Sequence, residues 1–317
     1  MTSSGLHVVF GAGQIGTPLA AHLLAQGHRV RLVRRGGAAP EGVQVVHGDA
    51  GDRAFAAEMA QGASVVYHCM NPAYNTAVWD RELPRLMDAL VNAAARAGAR
   101  LVVLDNVYML GPPRGTLLSE DSPIAPTSRK GEIRARVNER LVAAQVRGDV
   151  RAVTARASDF YGPNGTNTYF GDAFWPKALS GGIAQTLVNL DTRHTYHYTD
   201  DVVRGLATLA EASDDAYGRW WMLPCAEAET TRQLVGRFGV ALGRELKVRP
   251  VSRIAIRSLG FFVPLLRELD EMSYQWNEPF IVDDRRFRER FGAAPTPLGQ
   301  GAAATVEWAN QHYPWAQ

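Results

Sequence analysis

Cysteine is almost absent from this chain: Cys69 and Cys225 are the only two among 317 residues, each inside an apolar stretch. That argues against a disulfide framework or a cysteine-rich zinc site and fits a reducing cytoplasm. Lysine is nearly as scarce. Lys130, Lys177 and Lys247 are the only ones, so arginine carries most of the basic charge. A surplus of either sign is also missing. A formal net charge of +2 points to no nucleic-acid partner, which would need a clustered basic face. Long hydrophobic runs are absent too. The longest, Leu259–Leu266, is interrupted by Pro264 and falls far short of the roughly 20 residues that span a bilayer. The polar lead Met1–Ser4 has neither the basic nor the apolar region of a signal peptide. The expectation is a cytoplasmic protein with no membrane partner, without repeats or low-complexity segments.

What is present is alternation. Short apolar runs at His7–Phe10, Arg29–Val33, Val43–His47, Ser64–His68, Leu101–Leu104 and Arg151–Ala155 read as buried parallel strands. Between them Ile15–Gln26, Ala54–Ala60, Trp79–Ala97 and Ile133–Val146 read as helices. In the last, Ile133, Val137, Leu141 and Ala144 form one apolar stripe. Strands alternating with helices predict an α/β fold, a doubly wound parallel sheet. The pattern loosens after Tyr161-Gly162-Pro163. A helix is expected near Asp172–Ser180, a last strand near Trp220–Leu223, and a mostly helical tail. The expected domains are 1–165 with 194–224 returning to it, and a smaller lobe of 166–193 and 225–317. The Pro- and Ser-rich stretch Pro113–Ser128 reads as a long loop, a frequent home of function.

Gly11, Gly13 and Gly16 stand in G-x-G-x-x-G spacing between the first strand and the first helix. Such a loop lets a pyrophosphate approach the backbone and rest on a helix N-terminus; with no ligand it is simply a tight turn. Gln14 and Ile15 fall inside it. The second strand ends at Arg34 and Arg35, about 20 residues on, where an NAD site would carry an acid. Two guanidiniums suit a 2′-phosphate, so NADP(H) is expected over NAD(H). Asp49, in "HGDAGD", is expected near the adenine edge.

With the glycine loop and "HGDAGD", the segments "ARASDFYGPNG" (Ala155–Gly165) and "YHYTDDVVRGL" (Tyr196–Leu206) resemble the extended short-chain dehydrogenase/reductase superfamily, the group of nucleotide-sugar epimerases and dehydratases. The resemblance covers nearly the whole chain. It implies a Rossmann domain, a C-terminal lobe for a small-molecule substrate, and an oxidoreductase or epimerase activity. It also implies a homodimer through helices Trp79–Ala97 and Ile133–Val146. Cofactor contacts are expected from Met70 and Asn71 after the fourth strand, and from Asp159 and Phe160 after the sixth. Asp201 is expected to cap the following helix.

The chain departs from the superfamily's pattern in two places. Extended members usually carry G-x-x-G-x-x-G. The catalytic Ser and Tyr-x-x-x-Lys are also missing: the Ser position falls on Asn106, and the Tyr and Lys positions fall on Gly131 and Ala135. The resemblance therefore implies an atypical member with a hollow beside the nicotinamide.

Tyr108, two residues past Asn106, is the leading candidate to supply the missing acid from within that hollow; the alternative is a ring packed under the loop. Lys130 and Arg134, one helical turn apart, either reach the nicotinamide ribose and tune a nearby phenol or are solvated helix cations. His68 reads as an acid–base group or a satisfied strand-end histidine. His194, Tyr196 and His197 alternate like a strand with one wet face. Trp175, Tyr274 and Trp276 are expected to line the substrate lobe, favouring a planar or apolar substrate over a diphospho-sugar. Beyond Arg253, Arg257 and Arg267 the lobe shows no obvious basic cluster.

The expected activity is therefore NADP(H)-dependent oxidation or reduction of a small carbonyl or hydroxyl compound. The alternatives are a redox-neutral epimerase or dehydratase, and a non-catalytic NADP(H) sensor. No metal is expected.

Overall fold

The computed structural model describes residues 5–36, 41–186, 189–251 and 264–313. Arg253, Arg257 and the apolar run from Leu259 to Val263 lie outside the described residues. Two compact units divide the chain. The first comprises 1–109, 124–156 and 203–221, and the second 110–123, 157–202 and 222–317. This grouping places 110–123, 157–165, 194–202 and 222–224 with the C-terminal part, whereas the sequence pattern assigns them to the first domain.

The first unit runs β1 (Leu6–Phe10), α1 (Gly16–Ala25), β2 (Arg29–Arg34), β3 (Gln44–His47), α2 (Arg53–Met59), β4 (Ala63–His68), α3 (Thr76–Ala97), β5 (Arg100–Asp105), α4 (Arg129–Val146) and β6 (Arg151–Arg156). A short strand, Trp220–Met222, completes a seven-stranded sheet. Across the sheet β3, β2, β1, β4, β5 and β6 follow in that order, each neighbouring pair parallel. Strand order reverses between β1 and β4, the switch point where the carboxyl ends of an open sheet leave a crevice.

The strands are continuous apolar runs because both sheet faces are covered. Val8, Phe10, Val66, Leu101 and Val103 meet Leu83 and Leu90 of α3 and Ile133, Val137 and Leu141 of α4 in one buried cluster. α3 begins three residues before its apolar stripe because Asn75 caps it through Val78 N. Ser128 starts α4 in the same way, through Gly131 N.

The second unit is built on aromatics. Phe170, Phe174, Trp175, Tyr196 and Phe238 pack edge-to-face through contacts with ring centroids 5.1–5.4 Å apart. Trp175 is a core residue here, fully buried, and so does not line a substrate surface as its sequence position suggested. The strand Tyr196–Tyr198 is buried on both faces, His197 included, which corrects the reading of one wet face. The expected helix at Asp172–Ser180 shortens to Trp175–Leu179. Asp201 lies within the first turn of helix Thr199–Glu211 rather than at its cap, and its carboxylate accepts from Thr296 N and Oγ1 at 2.9 and 2.7 Å, tying down that loop.

The long loop after β5 is pinned rather than loose. Leu118 is buried and bridges to Val282, and Glu120 accepts from Met222 N at 2.8 Å. Among the described residues no helix is long and apolar enough to cross a membrane.

Candidate functional site

The glycine loop leaves β1 at the switch point. Gly11 has φ +104°, and a Cβ there would meet Met70 Cγ at 2.7 Å and the Cys69 backbone at 2.8 Å. Gly16 has no room either, since a Cβ would lie 1.8 Å from Gly11 O. The first glycine thus lets the β1 and β4 loops touch, and the third lets α1 close on its own strand. Gly13 differs: it is exposed, and nothing lies within 4 Å of the space a Cβ would take.

α2, α3, α4 and the helix Thr231–Leu242 are each capped by a side chain at the N-terminus. α1 is not: Ile15 occupies the cap without a side-chain bond, and the first turn holds no acid. Gln14 Oε1, an acceptor buried beside it with no hydrogen-bond partner, does not itself hold an anion. An uncapped helix end next to an open glycine is a site for an anion. These residues fit a pyrophosphate.

At the end of β2, Arg34 is half-buried and Arg35 exposed, with no carboxylate at the strand end itself. Asp49 follows β3. Its carboxylate takes both guanidinium nitrogens of Arg85 at 2.9 and 3.1 Å and the backbone N–H of Gly51. Those hydrogen bonds hold Asp49 below the usual carboxylate range.

The carboxyl ends of β4 and β5 carry a buried polar cluster. Asp105, the last residue of β5, turns inward, with its side chain only 8% exposed. Arg134 of α4 donates to its Oδ1 at 2.8 Å, and Arg156 of β6 to its Oδ2 at 3.0 Å. Arg134 also donates to Asn71 Oδ1 at 2.7 Å, and Arg156 to Asn106 O and Asn138 Oδ1. Asn106 Oδ1 accepts from Tyr108 N at 3.0 Å, an Asx turn that opens the single helical turn Tyr108–Leu110. That bond commits the amide oxygen to the backbone and leaves the amide N–H₂ as its outward-acting group.

Tyr108 is half-buried and stacks on Trp79, centroids 6.1 Å apart at 18°. Trp79 in turn lies 4.6 Å from the Arg134 guanidinium carbon and meets Tyr74 edge-on at 5.3 Å. Lys130 is fully buried. Its Nζ donates to Thr76 Oγ1 at 3.1 Å and sits 4.7 Å from the Tyr74 ring centroid.

Two expectations change here. There is no hollow at Gly131: a Cβ would lie 2.6 Å from Tyr108 O and 2.9 Å from Pro126 Cβ, so the backbone of the Tyr108 turn fills that space. Ala135 beside it is buried as well. Nor are Lys130 and Arg134 solvated, for both point inward on the face of α4 that meets the β4 and β5 loops. His68 sits at the strand end, its Nδ1 accepting from Met70 N at 3.3 Å. Burial, with Arg134 nearby, pushes its pKa down to about 4 and keeps it neutral.

In the second unit Asp159 pairs with His194 Nε2 at 2.8 Å, while His194 Nδ1 faces Gln275 O at 3.2 Å. Phe160 is half-buried on the same short strand, Asp159–Tyr161. His197 is neutral by burial, its pKa pushed down to about 4; Nδ1 accepts from Ser158 N and Nε2 donates to Leu223 O. Trp276 is buried against Tyr169, centroids 5.4 Å apart, and Tyr274 is half-buried near Phe280. Arg267 is exposed on the helix Pro264–Asp270. Among the described residues no cluster of His, Cys, Asp and Glu could hold a metal ion.

The sequence named Asn71, Asn106, Tyr108, Lys130 and Arg134, and the first unit brings all five to one end of its sheet. It did not reveal Asp105, Arg156 and Asn138 as their common support. The signal was present in two chemically odd positions: an aspartate ending an apolar strand, and an arginine ending the next.

A parallel sheet reversing beside a glycine loop defines the class, a Rossmann fold of the dinucleotide-binding kind. The family model for the NAD dependent epimerase/dehydratase family matches residues 7–220, and the chain belongs to that family. No curated protein matches the chain by sequence.

Among solved structures, it is similar to MoeE5 in complex with UDP-glucose and NAD (21% identity, 97% of this chain and 99% of that one, TM-score 0.77). It is also similar to the dTDP-glucose 4,6-dehydratase DesIV double mutant of Streptomyces venezuelae with NAD bound (20%, 98% of each chain, TM-score 0.79). A third is the UDP-glucose 4-epimerase of Thermotoga maritima with UDP-glucose (18%, 97% and 99%, TM-score 0.76). At these identities the likeness is one of fold.

Proposed function

We propose that this protein is an NADP(H)-dependent oxidoreductase acting on a small carbonyl or hydroxyl compound through a non-standard active site. The observation that carries the cofactor reading is the pair Arg34 and Arg35 where β2 ends, in place of an acidic residue at that position, on the adenine side of an uncapped glycine loop. Asp49, within electrostatic reach of Arg35, is held by Arg85. An acid there would pair with a ribose 2′-hydroxyl; two guanidiniums suit a 2′-phosphate.

Gly11, Gly13, Gln14, Ile15 and Gly16 hold the pyrophosphate in this reading, and Asp49 borders the adenine. Met70 and Asn71 serve the nicotinamide half. When bound, the dinucleotide supplies hydride acceptance or donation. The chain supplies proton handling: the Tyr108 hydroxyl holds the proton for the substrate oxygen, and the Asn106 amide donates a hydrogen bond to that oxygen. Lys130 supports the site from behind, through Thr76 and Tyr74.

The similar solved structures carry NAD and nucleotide-sugars, and these favour a second reading, a redox-neutral epimerase or dehydratase that keeps its cofactor. Against it, Gly131 and Ala135 stand where the superfamily's Tyr and Lys would be, a loss that also fits a non-catalytic NADP(H) sensor. The protein works in the cytoplasm as a homodimer through α3 and α4 in all three readings.

Titration with NADPH, NADP⁺, NADH and NAD⁺, followed by tryptophan quenching and melting shift, tests the cofactor reading. NADPH is expected to bind at least tenfold more tightly than NADH, and Arg34→Glu with Arg35→Glu to reverse the order. Equal affinity for the two would sink the NADP(H) assignment. Release of net oxidised or reduced product separates the oxidoreductase from the redox-neutral enzyme.

A further inference from the structure

Asp105 is one carboxylate shared by two arginines, and that stoichiometry is unusual for a buried site. Arg134 and Arg156 are 6% and 0% exposed, and each guanidinium donates to a different oxygen of Asp105. Their other partners are neutral: Asn71, Asn138 and the Asn106 carbonyl. Each also keeps a buried Nε with no hydrogen-bond partner. The triad therefore holds one positive charge more than it neutralises. Trp79 and Trp220 lie 4.6 and 5.1 Å from the two guanidinium carbons and offset part of the cost by cation–π attraction. A single arginine would anchor Asp105 without this excess, and an uncompensated buried charge opposes folding. His68, near Arg134 and Asp105, is kept neutral and cancels nothing.

The triad also has a definite place. The pyrophosphate loop follows β1, and the 2′-phosphate arginines end β2. The other half of a bound dinucleotide then falls to the β4 and β5 side, where Arg134 grips Asn71 and Asp105. We infer that Arg134 is a positioning residue whose surplus charge, shared with Arg156 over Asp105, biases the bound cofactor toward its reduced form. This rests on the dinucleotide reading above. The oxidised nicotinamide ring carries a positive charge and the reduced ring none, so a fixed positive charge on that side would disfavour only the oxidised form. At a separation on the order of 10 Å and an effective dielectric near 20, one unit charge weakens oxidised-ring binding roughly tenfold relative to reduced.

The test is the ratio of the NADP⁺ and NADPH dissociation constants, measured by titration on the full chain without any substrate. In the wild type the ratio is expected to be about ten or more. Arg134→Gln should bring it down roughly tenfold, while Arg134→Lys, which keeps the charge, should hold it. If Arg134→Gln weakens both forms equally and leaves the ratio alone, Arg134 is a structural anchor only and the inference falls. A wild-type ratio near one overturns it without any variant, which covers the case that Arg134→Gln does not fold. Failure of all four dinucleotides to bind is a separate outcome, and it removes the dinucleotide reading itself.

Discussion

Arg134 reaches across 63 residues of sequence to hold Asn71, its Nη2 2.7 Å from the Asn71 Oδ1. A helix is thereby fastened to the loop after β4, and through Asp105 to the end of β5. Asn71 is otherwise exposed, so this bond fixes the orientation of an outward-facing amide.

Removing the shared carboxylate should unfold this corner. In Asp105→Ala both arginines lose the one ion pair each makes among the described residues while still buried, and breaking a buried pair from one side typically costs about 3–5 kcal/mol. Arg140→Ala should cost under about 1 kcal/mol, because its pair with Asp88 lies at the surface with Arg140 half exposed. Chemical denaturation of the two variants side by side checks the contrast. A small loss in Asp105→Ala would mean that the carboxylate is dispensable.

The glycine loop separates packing from binding. Gly16→Ala places a methyl 1.8 Å from Gly11 O, so it should lower the melting temperature and abolish dinucleotide binding together. Gly13→Ala meets nothing, and its melting temperature should stay within about 2 °C of wild type. Its NADPH affinity should nevertheless fall at least tenfold, because the methyl stands where the pyrophosphate must approach. Unchanged affinity in Gly13→Ala would move the anion elsewhere.

Much of this was legible in the sequence. Strands such as Val8–Phe10 and Leu101–Val103 announce themselves because both sheet faces are covered and every side chain must be apolar. The glycine spacing marked the switch point because Gly11 and Gly16 have no room for a Cβ. The hollow at Gly131 was not legible. A glycine in a helix says that something is close, and only the fold shows that it is Tyr108 O rather than a ligand. Likewise Lys130 and Arg134 are polar letters on an otherwise mixed helix face. Their burial depends on Thr76, Asn71 and Asp105, which arrive from elements 29–63 residues away.

That close contact predicts a packing defect. Gly131→Ala must push the Tyr108 carbonyl or Pro126 aside, at a cost of about 1–3 kcal/mol, and should disturb the Tyr108 turn. Gly236→Ala, in a helix with open space around it, should be neutral or slightly stabilising. Thermal melts of both variants decide the point. Equal melting temperatures would show that the turn gives way freely.

Tyr108→Phe keeps the stack on Trp79 and removes only the hydroxyl. Its NADPH affinity should match wild type, while turnover of any carbonyl substrate found should fall by at least 100-fold, the usual scale for losing a general acid. Retained turnover would return the ring to a packing role.

Acid should weaken the fold through its buried histidines. His7, His68 and His197 each have a pKa pushed down to about 4, chiefly by burial, with His28 adding to the effect at His7. In the unfolded chain each returns to about 6.5. Above that pH neither state is protonated and the three contribute nothing to pH dependence. As pH falls below about 6.5 the unfolded chain binds protons that the folded chain refuses, so stability drops until about pH 4. The expected slope approaches about 1.4 kcal/mol per pH unit for each histidine. Urea denaturation at pH 7.5, 6, 5 and 4.5 measures it, and His197→Gln should flatten the curve by one histidine's share. A stability flat from pH 7.5 to 4.5 would mean that these rings take up protons without leaving the core.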